Sequence, residues 1–146
     1  MTRPQSVLAF DFGLKRIGIA CGDTLTRQAT ARAAAAVHGG TPDWQAIGRE
    51  VRALTPAVLV VGAPYNVDGS EGTLLARTRR FAAELERRFA LPVQLVDERF
   101  SSLEAHQALK ARRASGRRGR IQRADIDSAA AAVILGRWFQ GEGQGT

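Results

Sequence analysis

Apolar residues fall in short runs along the chain, and their spacing alternates between strand and helix periods. Val7-Leu8-Ala9-Phe10-Asp11-Phe12 and Ile17-Gly18-Ile19-Ala20-Cys21 flank a turn of Gly13, Leu14, Lys15 and Arg16, the pattern of a β-hairpin. Thr26–Ala31 is a third candidate strand, poor in β-branched and aromatic residues. Gly39-Gly40 breaks the chain. Thr41 as N-cap and Pro42 at the first helical position then open a helix over 42–54, where Trp44, Ile47, Val51 and Leu54 recur at helical spacing. Ala57–Gly62 is a continuous apolar run, as expected of a parallel strand covered on both faces. A loop leads into a long helix with Leu74, Thr78, Phe81, Leu85 and Phe89 on one stripe. Leu91-Pro92 closes it, and Val93–Asp97 is the next strand. Ser101 and Glu104 stand three apart, a capping box that opens a helix from about 102 to 112. The last helix starts near Asp125 and carries Ile126, Ala130, Val133, Ile134 and Trp138. A strand meander, then strand–helix–strand–helix and a closing helix, predicts an α/β fold. It forms one domain over 1–140, with a Gly-rich tail over 141–146.

Charge changes this picture at one place. The 146 residues hold 21 basic and 14 acidic side chains, a net +7. Lys110, Arg112, Arg113, Arg117, Arg118, Arg120 and Arg123 supply seven of the basic ones within 110–123, a stretch with no acid. Elsewhere the two signs balance at 14 each, so the excess is local and marks a docking place for an anionic partner. Ser115-Gly116 and Gly119 interrupt that run, which reads as a mobile loop. No apolar run reaches the roughly 20 residues of a membrane span, and no signal-type segment precedes the first strand, so the expectation is a cytoplasmic protein without a membrane partner. The single cysteine, Cys21, excludes a disulfide framework or a Cys-based zinc site and reads as a small apolar filler. His38 and His106 are isolated, surface positions.

Three acidic positions stand where they could converge. Asp11 ends the first strand between Phe10 and Phe12, where an unpartnered charge is costly. Glu98 follows the last strand. Asp127 lies in the first turn of the final helix and shares a face with Ala131, Ile134 and Trp138, at i+4, i+7 and i+11. Neighbouring carboxylates repel unless protonated or bridged by a cation. Oxygen-only ligands select Mg²⁺ or Mn²⁺ over zinc, and two such ions about 4 Å apart clamp a phosphodiester for in-line attack. Beside a basic segment, such a cluster suits a metal-dependent nuclease. The plainer reading has Asp125 or Asp127 as a helix cap and Asp97 and Glu98 as surface charges. The loop at 62–72, with Gly62, Gly69 and Gly72 before a helix N-terminus, offers backbone N–H groups to a phosphate, or is simply a tight turn. It matches no nucleotide-binding fingerprint.

Four segments resemble the bacterial YqgF/RuvX family in order and register. They are Asp11-Phe12-Gly13-Leu14-Lys15-Arg16-Ile17-Gly18, Asn66-Val67-Asp68-Gly69-Ser70-Glu71-Gly72, Asp97-Glu98-Arg99-Phe100-Ser101-Ser102, and the run from Asp127-Ser128 to Ile134-Leu135. The resemblance implies a ribonuclease H-like fold, with a five-stranded mixed sheet, its second strand antiparallel, and helices on both faces. It assigns the metal cluster to Asp11, Glu98 and Asp127. It brings Lys15, Arg16, Arg99 and the Asn66, Gly69 and Ser70 loop to the nucleic-acid backbone, with Mg²⁺ or Mn²⁺, two per site, as cofactor. Ala63-Pro64-Tyr65-Asn66-Val67 and Phe100-Ser101-Ser102 depart from the family's usual Leu-Pro-Leu-Asn-Met and Leu-Thr-Ser but keep the polar atoms.

The resemblance implies one of two activities: maturation of the 5′ end of pre-16S ribosomal RNA, with the small ribosomal subunit as partner, or resolution of Holliday junctions in branched DNA. The first suits a monomer and the second a symmetric homodimer. Two rivals remain beside them: a non-catalytic ribosome-assembly module, and an ATP-using relative of the actin superfamily, which needs two such domains.

Overall fold

The computed structural model describes residues 3–64, 72–97 and 123–141, with the side chains of the last segment from Ser128 onward. Six strands form one mixed sheet in the order β4-β3-β2-β1-β5-β6. They are β1 (Ser6–Asp11), β2 (Arg16–Asp23), β3 (Thr30–His38), β4 (Thr41–Pro42), β5 (Val58–Ala63) and β6 (Val93–Asp97). β1 to β4 run as an antiparallel meander, and β5 and β6 lie parallel to β1. Helix α1 (Trp44–Leu54) precedes β5, α2 (Thr73–Phe89) connects β5 to β6, and α3 (Arg123–Gln140) closes the fold.

β1 is central because every residue from Val7 to Phe10 is wholly buried, which requires cover on both faces. Strand alternation sorts these side chains. Val7 and Ala9 join Val58, Val60 and Val96 in a core under Ala131, Ile134, Leu135 and Trp138 of α3. Leu8 and Phe10 join Ile17, Ile19, Leu59 and Val61 under Ile47 of α1 and Phe81 and Leu85 of α2. β5 is buried along its whole length, as its unbroken apolar run requires.

Several boundaries differ from the sequence expectation, each for a physical reason. The third strand is Thr30–His38, not Thr26–Ala31. The Asp23 carboxylate accepts from the Leu25 and Thr26 amides (2.9 and 2.7 Å), and Arg27 takes a φ of 55°, so residues 23–27 turn. The alanine-rich stretch beyond has little β-propensity of its own and is held by pairing with β2. The sheet has six strands rather than five. Gly39 and Gly40, at φ 56° and 81°, form a two-residue hairpin loop that pairs Thr41–Pro42 with Val37 and His38.

Thr41 and Pro42 therefore do not start α1. Its N-cap is Asp43, whose carboxylate accepts from the Ala46 amide at 3.1 Å. On α2 the inward stripe is Leu75, Thr78, Phe81, Ala82 and Leu85, so Leu75 replaces Leu74 as the innermost residue. α3 begins at Arg123, two residues before the expected start. The expected helix over 102–112 and most of the basic loop 110–123 lie outside the described residues. No described helix is long and apolar enough to cross a membrane.

Candidate active site

The C-terminal ends of the parallel strands β1, β5 and β6 lie at one end of the sheet, the usual place for chemistry in such folds. Asp11 is the last residue of β1, half-buried and opposite Gly18 of β2. Its odd position gives it the parity of Val7 and Ala9, so it stands on the α3 side of the sheet. The turn that follows is tight: a Cβ on Gly13 would lie 2.4 Å from the Arg16 carbonyl oxygen, which only glycine avoids. That turn carries Lys15, exposed, and Arg16, half-buried at the start of β2. The Val37 amide donates to the Lys15 carbonyl at 2.9 Å, fixing the turn to β3. Both cations thus sit within five residues of Asp11 at the same sheet end.

α3 reaches this end through a buried hydroxyl. Ser128 is 1% exposed, and its Oγ donates to the Arg32 carbonyl of β3 while accepting from the Ile19 amide of β2 at 3.5 Å. The β2–β3 register shifts between Ile17 and Ile19, so the strands part there and the hydroxyl bridges the gap. Ile19 is the partner of Phe10, and Gly18 that of Asp11. The first turns of α3 are therefore held against the strand beside Asp11. Position 127 directly precedes Ser128 in α3. Sequence reasoning passed over Ser128. Its one signal was a small polar residue opening an otherwise apolar helix face.

The far part of α3 is anchored too. Trp138 Nε1 donates to Gln94 Oε1 at 2.6 Å, and Arg137 Nη1 to the Asp97 carbonyl at 2.9 Å. These contacts tie the helix to β6, whose next residue is Glu98. Glu98 itself lies outside the described residues. So do Asn66, Gly69, Ser70, Arg99, Lys110, Arg112, Arg113, Arg117, Arg118 and Arg120, and the side chains of Arg123 and Asp127. Among the described residues no three His, Cys, Asp or Glu side chains lie close enough to hold a metal. Of the expected ligands only the Asp11 carboxylate is described, and a hard oxygen donor of that kind fits Mg²⁺ or Mn²⁺. Cys21 is half-buried, and burial pushes its thiol up, an effect the nearby Arg32 only partly offsets. It stays protonated at neutral pH and packs beside the core as a filler, not a nucleophile.

A mixed sheet with an antiparallel second strand, helices on both faces and a carboxylate ending its first strand defines the ribonuclease H-like class. The solved structures agree on the fold. Thermus thermophilus RuvC in complex with a Holliday junction substrate superposes with a TM-score of 0.58, covering 97% of this chain and 98% of its own, at 14% identity. The yeast mitochondrial Holliday junction resolvase gives 0.52 at 10% identity, covering 94% of this chain and 79% of its own. The particular family follows from sequence: residues 5–141 match the RuvX model, described as "Holliday junction resolvase", and the chain belongs to that nuclease family. A relative from Xanthomonas campestris is 45% identical over 99% of this chain and 94% of its own, and one from Coxiella burnetii is 45% identical over 91% of each. Both carry the name "Putative pre-16S rRNA nuclease".

Proposed function

We propose that this protein is a divalent-metal-dependent endonuclease that trims the 5′ end of pre-16S ribosomal RNA on the small subunit, in the cytoplasm. The observation that carries the reading is the Ser128 bridge. It holds the start of α3, and with it position 127, against the strand that pairs with Asp11. That anchoring supports a reading in which Asp11 and Asp127, far apart in sequence, serve one site at this sheet end.

Asp11, Glu98 and Asp127 would hold Mg²⁺ or Mn²⁺. When bound, the metal supplies Lewis-acid stabilisation of the phosphoryl oxygens and a water of lowered pKa. The chain's own residues do the rest. Asp11, half-buried at the end of β1, would present its carboxylate from a fixed strand end. Lys15 and Arg16 lie on the turn past it, where a phosphate backbone approaching the strand ends meets positive charge. Asn66, Gly69, Ser70 and Arg99 flank the same strand ends in sequence, and the basic run 110–123 supplies salt-dependent affinity.

RNA is favoured as substrate because the relatives named for pre-16S rRNA are 45% identical, whereas the junction-bound RuvC is 14% identical. Junction resolution is the second reading, supported by the family description, and it requires a homodimer with two facing sites.

The test is side-by-side cleavage of a pre-16S rRNA fragment and a four-way DNA junction, with Mg²⁺, Mn²⁺ or chelator. Asp11→Asn is expected to lower cleavage by about a hundredfold or more, since the metal stabilises the transition state by several kcal/mol. Binding should stay largely intact. Wild-type cleavage rates in Asp11→Asn would sink the mechanism, and binding without cleavage by wild type would leave an assembly module.

A further inference from the structure

On the other face of the same sheet end lies a groove of about 550 Å³, walled by Phe12, Leu14, Pro42 and Trp44 and rimmed by Arg77 and Arg80 of α2. Its volume falls within the roughly 300–1,000 Å³ of small-ligand sites. Phe12 follows Asp11 directly but has the opposite parity, packing under α2 against Phe81 with ring centroids 5.2 Å apart. Successive Cα atoms are about 3.8 Å apart. The groove therefore begins one residue from the candidate ligand Asp11, across the thickness of the sheet.

Three features decide what it holds. Its wall is apolar and partly open: Leu14 is 57% exposed at the tip of the β1–β2 turn, and Phe12 is half-buried. The faces of Trp44 are engaged, by Phe81 stacked at 5.6 Å and by the Arg88 guanidinium at 4.4 Å, so Trp44 offers the groove an edge and a rigid floor. The rim is cationic. Arg77 and Arg80 stand three apart on α2, and among the described residues neither has an acidic partner. Glu84, the one acid in the wall, is already bridged to Arg87 and Arg88, which hold its carboxyl below the usual range.

We propose that this groove takes an unpaired nucleotide of the substrate strand, its base against Phe12 and Leu14 and its phosphate between Arg77 and Arg80. The inference rests on the nuclease reading and narrows its substrate to nucleic acid with a single-stranded segment beside the cut. Apolar and aromatic surface takes any base by its π-face, and paired guanidinium groups follow the backbone. A base held within a duplex is stacked on both faces and cannot enter.

Trp44 is the reporter. The full chain, with chelator present so that nothing is cut, is titrated with a short oligouridylate while tryptophan fluorescence is followed. Saturable quenching is expected, and its loss in Trp44→Phe assigns it to the groove rather than to the buried Trp138. Arg77→Ala/Arg80→Ala should weaken binding tenfold or more and flatten its salt dependence, and Leu14→Ala should weaken it a few-fold. Equal quenching by polyglutamate or by heparin would overturn the proposal in favour of a site for acidic protein or bare polyanion. So would undiminished binding in the double arginine variant, or a blunt duplex that competes as well as the single strand. The two readings fail separately. Quenching without cleavage of any substrate under Mg²⁺ removes the nuclease and keeps the groove. Cleavage that shows no preference for unpaired strands, and none lost in the arginine variant, removes the groove and keeps the nuclease.

Discussion

The two faces of the sheet solve the same packing problem differently. Among the described residues one is covered by α3 over small strand residues such as Ala9 and Ala20; the other is covered by α1 and α2 over Phe10, Ile17 and Ile19, with Phe12 and Trp44 packed against Phe81 and Phe89 against Trp44. Among the described residues the buried polar side chains are two hydroxyls, one per face. Thr78 donates to the Leu74 carbonyl of its own helix at 2.9 Å, a local contact that α2 would survive without. Ser128 bridges two strands 96 and 109 residues earlier in the chain. The aromatic face is held by area and shape, whereas the α3 face adds polar contacts, from Trp138 and Arg137 to β6 and, at the first turns of the helix, at one buried point, Ser128. That point lies on β2 at Ile19, the neighbour of Gly18, which pairs with Asp11.

Substitutions can break this contrast, and the largest effect belongs to the aromatic face. Phe81 is 4% exposed and touches the rings of Phe10, Phe12 and Trp44. Phe81→Ala should cost about 3–5 kcal/mol, read as a lower urea midpoint with unchanged slope. A loss under about 1 kcal/mol would mean that this cluster is not the keystone of its face.

Next comes the hydroxyl pair. Ser128→Ala leaves the Ile19 N–H and the Arg32 carbonyl without this partner and should cost about 1–3 kcal/mol, with faster hydrogen exchange at the Ile19 amide. Thr78→Val, which leaves the Leu74 carbonyl in its helix, should cost less than about 1 kcal/mol. Equal costs for the two would erase the distinction drawn between them.

The smallest effect is at the Asp23 turn, away from both cores. Backbone donation from Thr26, the largest cause, and from Leu25 lowers the Asp23 carboxyl. Its contribution to stability is full above the unfolded-state value and disappears as pH falls through the lower folded value. Asp23→Ala should therefore be less stable than wild type at neutral pH, and the gap should close in acid. A gap constant with pH would assign the effect to turn propensity and not to charge.

Much of this protein was legible in its sequence because the signals were local. The unbroken run of β5, the boundaries of β6 and the inward stripe around Phe81 and Leu85 follow from hydrophobic period, which each segment carries by itself. Asp11 announced itself as a charge between two phenylalanines at a strand end. The errors fell where pairing outweighs propensity. β3 is mostly alanine and becomes a strand only because β2 lies alongside, and Thr41–Pro42 becomes one only because Gly39-Gly40 turns it back. What the tertiary structure alone decided is the meeting of remote groups: Ser128 in the gap between β2 and β3, and Arg77 and Arg80 across a groove from Phe12. A hydroxyl, a guanidinium and a ring carry no sequence signal for one another, because what joins them is distance after folding rather than any periodicity before it.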